Sequence, residues 1–191
     1  VSDNLYAPPQ AELVASSHAQ RPFYVVSRPK FLTLFVLTFG IYQLYWAYKN
    51  WQQFKQASGQ EIWPIARALL AIFFTHALYR EADAKIKASG RTFDWRPGEL
   101  ATLFVVMVIV SNVIDGLVRK NIGYPLLDLL SLALLPVHAW ITFLGQRGLN
   151  EAAGDPLGQS NARFTPVNYV FIVLGVLLWA LALFGLTLPP E

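Results

Sequence analysis

The stretch Val167-Asn168-Tyr169-Val170-Phe171-Ile172-Val173-Leu174-Gly175-Val176-Leu177-Leu178-Trp179-Ala180-Leu181-Ala182-Leu183-Phe184-Gly185-Leu186-Thr187-Leu188 contains no charged residue, and none occurs between Arg163 and Glu191. Crossing the hydrocarbon of a bilayer takes about 20 consecutive apolar residues in a helix. This run meets that need. Working back along the chain, four further apolar segments stand out, at 31–48, 62–79, 100–118 and 122–144. The first two are near the lower length limit, and Arg67 and His76 lie inside the second. Lipid offers no partner for a bare backbone, so the spans must be helices; a barrel would show alternating strands of about ten residues instead. The fold expected is all-α: a polytopic membrane bundle of about five helices over 31–188, with a flexible polar tail at 1–30 and a short end at 189–191.

Composition agrees. Of 191 residues, 54% are hydrophobic and 14% charged, against about 25% charged in an average soluble chain; mean hydropathy is +0.39. The absence of cysteine rules out disulfides, thiolate metal sites and cysteine nucleophiles. A net charge of +3 does not point to nucleic acid, because the cations are dispersed among short loops, where they set topology or meet anionic headgroups. The tail bears Pro8, Pro9, Pro22 and Pro29 and no signal-like apolar run, with order expected only near Phe23-Tyr24-Val25-Val26.

Punctuation supports these limits. Pro64, Pro97, Pro125 and Pro166 lie near segment starts, where a missing N–H costs little, and Thr165 suits an N-cap. Aromatic residues such as Tyr45, Trp46, Trp63, Trp95, Tyr124 and Trp140 fall near segment ends, as interfacial anchors do. With five crossings, the tail and the second and fourth loops share one face. They carry Arg21, Arg28, Lys30, Arg80, Lys85, Lys87, Arg91, Arg96, Arg147 and Arg163, against Lys49, Lys55, Arg119 and Lys120 on the other face. The positive-inside rule then puts the N-terminus in the cytoplasm and the C-terminus outside.

An internal echo bears on that count. Tyr48 leads to Gly59 and then Trp63-Pro64; Tyr79 leads to Gly90 and then Trp95-Arg96-Pro97; Phe143 leads to Gly154. The spacing from aromatic to glycine is the same each time. Either helices project into water and stop at a left-handed glycine, or a helix-plus-extension unit is duplicated with inverted topology. If the extensions share one face, the first or second segment is re-entrant.

Thr38-Phe39-Gly40-Ile41-Tyr42-Gln43-Leu44-Tyr45-Trp46-Ala47-Tyr48-Lys49 resembles the opening motif of an uncharacterised bacterial membrane-protein family. Asn4-Leu5-Tyr6-Ala7-Pro8-Pro9 is similar to the tails of small bacterial membrane proteins, and Arg67-Ala68-Leu69 and Gly154-Asp155-Pro156 resemble the family more loosely. The resemblance implies a multi-pass membrane protein and carries no activity with it; the location expected is a bacterial inner membrane. The motif residues also read as aromatic anchors around a packing glycine.

Catalytic motifs are missing: no Gly-x-Ser-x-Gly elbow, His-Glu-x-x-His, P-loop or dinucleotide fingerprint. No enzyme, cofactor or metal is expected. The polar residues inside the spans are expensive there and mark sites by default. At 1.5 Å per residue, five crossings put Arg67, Asn112, Asp115, Asp128 and Ser131 in one outer layer. That layer either fastens helices together or carries a proton. His76 and His138 make an inner layer, with Pro136 freeing a backbone carbonyl beside His138. In the fourth loop, Arg147, Asn150, Asp155 and Asn161, with Gln146 and Arg163 beside them, are candidate contacts for a headgroup or partner, or plain turn chemistry. Two functions are open: a non-enzymatic membrane protein that binds membrane lipids, a partner protein or its own copy, and a small-solute or proton-coupled transporter built on the polar layers.

Overall fold

A computed structural model describes residues 21–187; of the flexible tail expected over 1–30, residues 1–20 with the Asn4–Pro9 motif lie outside the described residues, as do 188–191, while 28–30 begin the first helix and Ser27 and Lys30 are buried. The described chain is all-helical, with α1 Arg28–Leu37, α2 Tyr42–Ser58, α3 Pro64–Leu69, α4 Ala71–Ala88, α5 Pro97–Val118, α6 Leu126–Ala152 and α7 Pro166–Gly185. Three of these, α5, α6 and α7, are long and apolar enough to cross a membrane.

Of the five segments expected to span, the first two do not form single long helices, because both break. The first breaks at Thr38–Ile41. There the Thr38 hydroxyl donates to the Leu34 carbonyl at 2.7 Å and accepts the Tyr42 amide at 3.0 Å, while Phe39 and Gly40 take φ of 51° and 81°. Gly40 adopts that conformation freely; Phe39 pays roughly 1–2 kcal/mol for it, offset by stacking on Trp179 at 4.8 Å. Beyond the break the chain turns back. Phe31, near the start of α1, touches both Tyr42 and Trp46, and Phe23, which precedes α1, stacks on Phe54 near the end of α2. α1 and α2 are thus an antiparallel hairpin. Its tip packs beside Leu135 of α6 and Gly175, the midpoint of α7. Ten residues of α1 reach about 15 Å, half of a roughly 30 Å core.

The second segment breaks at Leu70 (φ −102°, ψ 34°). Short α3 runs along α2, placing Arg67 over the rings of Trp51 and Phe74 at 4.3 and 5.2 Å. α4 then descends antiparallel to α5. His76 meets Thr102 at 3.1 Å, and further down the Trp95 indole donates to Asp83 at 3.0 Å. His76 lies five residues into α4 and Thr102 five residues into α5, so α4 begins at the level of the middle of α5. This is a second hairpin, with α4 reaching half the length of α5.

The echo in the sequence now has a geometric meaning. α2, α4 and α6 all run the same way and end on one face at Gly59, Gly90 and Gly154, each with φ near +70°. The Arg91 guanidinium, just past α4, bonds the Glu151 carbonyl and reaches its carboxylate at 3.2 Å near the end of α6. An inverted duplication is excluded, since the repeated units are parallel.

The core sits between the hairpins and α6. Phe31, Phe35, Trp46, Trp51, Tyr79 and Phe104 are all buried there. Close helix contacts need small residues: a methyl group at Gly145 would collide with the Tyr79 hydroxyl, and one at Gly148 with the Trp95 ring. α6 passes Pro136 as one continuous helix. Among the described helices α7 packs only on α1, with Trp179 also stacked on Phe39 at the hairpin tip, and Gly175 is its only buried residue among those described. Its start carries a capping box in which Thr165 and Asn168 satisfy each other's amides.

Candidate functional site

The structure divides the expected outer layer. Ser131 donates to the Asp115 carboxylate at 2.5 Å across the α5–α6 contact, and Asn112 turns back to the Val108 carbonyl of its own helix at 2.7 Å. Arg67 is not with them. The break at Leu70 keeps it on α3, where its charge rests on Trp51 and Phe74. Among the described residues neither Asp115 nor Asp128 joins an ion pair. Arg67 would share a layer with the carboxylates only if the second segment ran unbroken through Leu70.

The two histidines are also separate. His76 is exposed and faces Thr102. The ring of His138 lies edge-on to Phe35 and Phe104 at 5.3 and 5.7 Å, and its buried Nε2 has no hydrogen-bond partner. Among the described residues no cluster of three His, Asp or Glu suited to a metal occurs.

Of the four residues expected in the fourth loop, Arg147 and Asn150 lie on α6, and two, Asn150 and Asn161, converge on the chain's own extended segment 23–26. The Asn150 side chain accepts the Val26 amide at 3.2 Å and donates to the Val26 carbonyl at 2.9 Å. Asn161 donates to the Val25 carbonyl at 2.8 Å and to the Tyr24 hydroxyl at 3.0 Å. Asp155 accepts the amides of Gln159 and Ser160 at 3.0 and 2.9 Å and is paired with Arg21 at 3.5 Å. Burial alone would raise the Asp155 carboxyl; the Ser160 hydroxyl, those amides and Arg21 outweigh it and hold it below the usual value. Gly158 passes so close to the Val26 carbonyl that a Cβ would overlap it. Arg147 is apart from the clasp, over the Phe93 ring at 5.7 Å.

Three further residues complete the clasp: Gln146, which stands beside the loop candidates in sequence, and Trp46 and Asn50, which carry no site signal of their own. Asn50 takes the Tyr24 amide at 3.1 Å, Gln146 donates to the Tyr24 carbonyl at 2.7 Å, and the Trp46 indole bonds the Gln146 side-chain oxygen. The signal lies in the spacing, an amide residue on an apolar helix face one turn from its fellow: Gln146 with Asn150, and Asn50 one turn beyond Trp46. Helix geometry puts such pairs side by side, and a buried extended backbone needs donors and acceptors of this kind.

Above the clasp lies a groove of about 580 Å³ between the α1–α2 hairpin and α7. Leu34, Leu37 and Ile41 line one wall, and Phe171, Leu174 and Leu178 the other, with Gly175 at the contact. Thr165 and Asn168 mark its lower end on α7, Tyr42 and Tyr45 on α2. Tyr42 is linked downward: its hydroxyl is 3.4 Å from that of Tyr24, which accepts from Asn161, which in turn takes the Lys30 ammonium at 2.6 Å. Lys30 also donates to the Arg163 carbonyl at 2.8 Å. It is buried, and among the described residues it has no carboxylate partner. Burial lowers its pKa.

The motif from Thr38 to Lys49 forms the tip and return arm of the hairpin, and the sequence pattern of a domain of unknown function, DUF4234, matches residues 27–183. The chain belongs to the DUF4234 family. The match takes in both hairpins, the α5–α6 pair and nearly all of α7, so both walls of the groove are part of the DUF4234 region. Within it lie Asn50, Gln146, Asn150 and Asn161; the extended segment they hold, 23–26, immediately precedes it. No curated protein and no solved structure matches the chain.

Proposed function

We propose that this DUF4234 protein is a non-enzymatic integral protein of a bacterial inner membrane that binds a lipid in the plane of the bilayer. The observation that carries this reading is the groove between the hairpin and α7, apolar along most of its walls, with Thr38 at its upper end and its other polar residues at the lower rim. From Thr165 to Leu178 it follows α7 for about 20 Å, longer than one leaflet's half of a roughly 30 Å core. Its volume falls within the 300–1,000 Å³ typical of small-molecule sites. α7 exposes Val170, Val173, Leu177 and Leu181 on its other sides, which suits a helix surrounded by lipid.

Charge supports an N-terminus in the cytoplasm and a C-terminus outside. With the early segments folded as hairpins, Lys49 and Lys55 join the basic face, and of the loop cations only Arg119 and Lys120 remain at the other end of α5. The positive-inside rule is then satisfied more strongly than with five crossings. A proton-coupled carrier has less support: His138 lies between two phenylalanine rings rather than beside His76 or a carboxylate. Catalysis has no constellation behind it.

The test is co-purification. The full chain, extracted in mild detergent and washed, should retain lipid in constant ratio to protein. Leu174→Trp fills the groove from an exposed wall position and should release that lipid while the melting temperature stays within a few degrees. Retention undiminished by groove filling would remove the reading.

A further inference from the structure

The foot of the groove is more specific than its walls. Lys30 lies one helical turn below Leu34, a groove-lining residue, and its ammonium is fixed by Asn161 and the Arg163 carbonyl. Two positive charges are therefore held on the stretch that leads into Thr165: the buried Lys30 ammonium and the exposed guanidinium of Arg163. Neither has an ion-pair partner among the described residues. Across the groove, Tyr45 stands at the rim with the Lys49 ammonium 6.0 Å from its ring centre. The hydroxyl chain Tyr42–Tyr24 connects the rim to Asn161 and so to Lys30. A buried cation without a counter-charge is costly, and its field reaches farther through protein and lipid than through water.

We infer that this foot is an anionic headgroup site, and that the occupant of the groove is a phospholipid of net negative charge, its phosphate facing Arg163 and the Tyr45 rim and one acyl chain lying between Leu34, Leu37, Leu174 and Leu178. The inference rests on the lipid-binding reading above and adds the headgroup charge. Arg163 makes the direct contact, since its guanidinium is exposed and matches phosphate geometry. Lys30 acts from behind the hydroxyls, supplying potential rather than touch.

Native mass spectrometry of the full chain, titrated with phosphatidylglycerol and with phosphatidylcholine of the same acyl chains, tests this. The protein should prefer phosphatidylglycerol by about tenfold, the scale expected of one or two cations near an anionic headgroup. Arg163→Gln changes an exposed side chain and should cut that preference to about threefold or less, with phosphatidylcholine binding unchanged; Lys120→Gln, on the opposite face, should leave it intact. Lys30→Met, if it folds, should lower the preference as well; if it does not fold, Arg163→Gln still decides. Equal retention of both lipids by the wild type leaves lipid binding standing and overturns the headgroup site. A preference that survives Arg163→Gln overturns it too. Retention of neither lipid removes the lipid-binding reading itself.

Discussion

The Asn150 side chain hydrogen-bonds both polar groups of Val26, accepting from its amide at 3.2 Å and donating to its carbonyl at 2.9 Å. A neighbouring β-strand would satisfy an extended segment in the same way, but here a helix supplies the partner through one carboxamide. The segment is buried, so its amide and carbonyl have no water to fall back on, and each would cost about 1–3 kcal/mol if orphaned.

Asn150→Leu should therefore destabilise the protein by on the order of 2–4 kcal/mol, read as a fall in melting temperature in detergent. Asn150→Asp keeps the acceptor for Val26 and loses the donor, so it should lie between wild type and Asn150→Leu. Equal stability of all three proteins would mean that the clasp contributes nothing.

The attachment of α7 depends on one glycine. A Cβ at Gly175 would lie 2.4 Å from the Leu37 carbonyl oxygen, whereas Gly185 on the same helix has open space. Gly175→Val should loosen the α1–α7 contact and the Trp179 hydrogen bond to Val36, costing about 1–3 kcal/mol as overpacking does. Gly185→Ala should be neutral or slightly stabilising. The two melting curves separate a packing role for Gly175 from a general dislike of substitution in α7.

The hairpins change what a labelling experiment should show. The chain has no cysteine, so single cysteines report cleanly. With five crossings Gln56 and Ser89 would face opposite sides; with hairpins they share one. Gln56→Cys and Ser89→Cys should both resist an impermeant thiol reagent in intact cells, and Lys120→Cys should react. Labelling of Gln56→Cys would restore a first crossing.

Protonation should open the fourth loop. The Asp155 carboxyl is held below its ordinary value, so the stability it contributes is present above the unfolded carboxylate pKa, near 3.9, and is lost as pH falls through the lower folded value. Hydrogen exchange at the Gln159 and Ser160 amides should stay slow down to about pH 4 after correction for intrinsic rates, and accelerate below it. Asp155→Asn should show faster exchange than wild type above about pH 4, because the charge that strengthens those bonds is gone, and the two should converge once the wild-type carboxyl is protonated.

The carboxylates within the spans bear on transport. Asp128 has no ion pair among the described residues, so Asp128→Asn should change stability by no more than about 0.5 kcal/mol. Cells lacking the native protein and complemented with this variant should behave as with wild type between pH 5.5 and 8. Loss of pH-dependent uptake at matched expression would bring the carrier reading back.

Composition by itself determined that the chain is helical with runs apolar enough to cross a membrane, because charge-free runs such as 167–188 would leave the backbone no other way to satisfy itself in lipid. The runs that became α5, α6 and α7 were legible for that reason, as was the Thr165 cap. Depth of insertion was not. The segments 31–48 and 62–79 are apolar enough to suggest a crossing, yet their course is decided by local breaks, a left-handed Phe39-Gly40 pair and the turn at Leu70, and by the partners that reward turning back: Phe31 for Trp46, Trp51 for Arg67. Asn150 and Asn161 were visible as loop amides, but their target was not, since it lies more than 120 residues away in the sequence. The groove depended wholly on tertiary structure. Its walls come from residues 34–45 and 165–178, and they face each other only because Gly175 lets α7 approach the backbone of Leu37 while Thr165 and the loop before it hold the lower end apart.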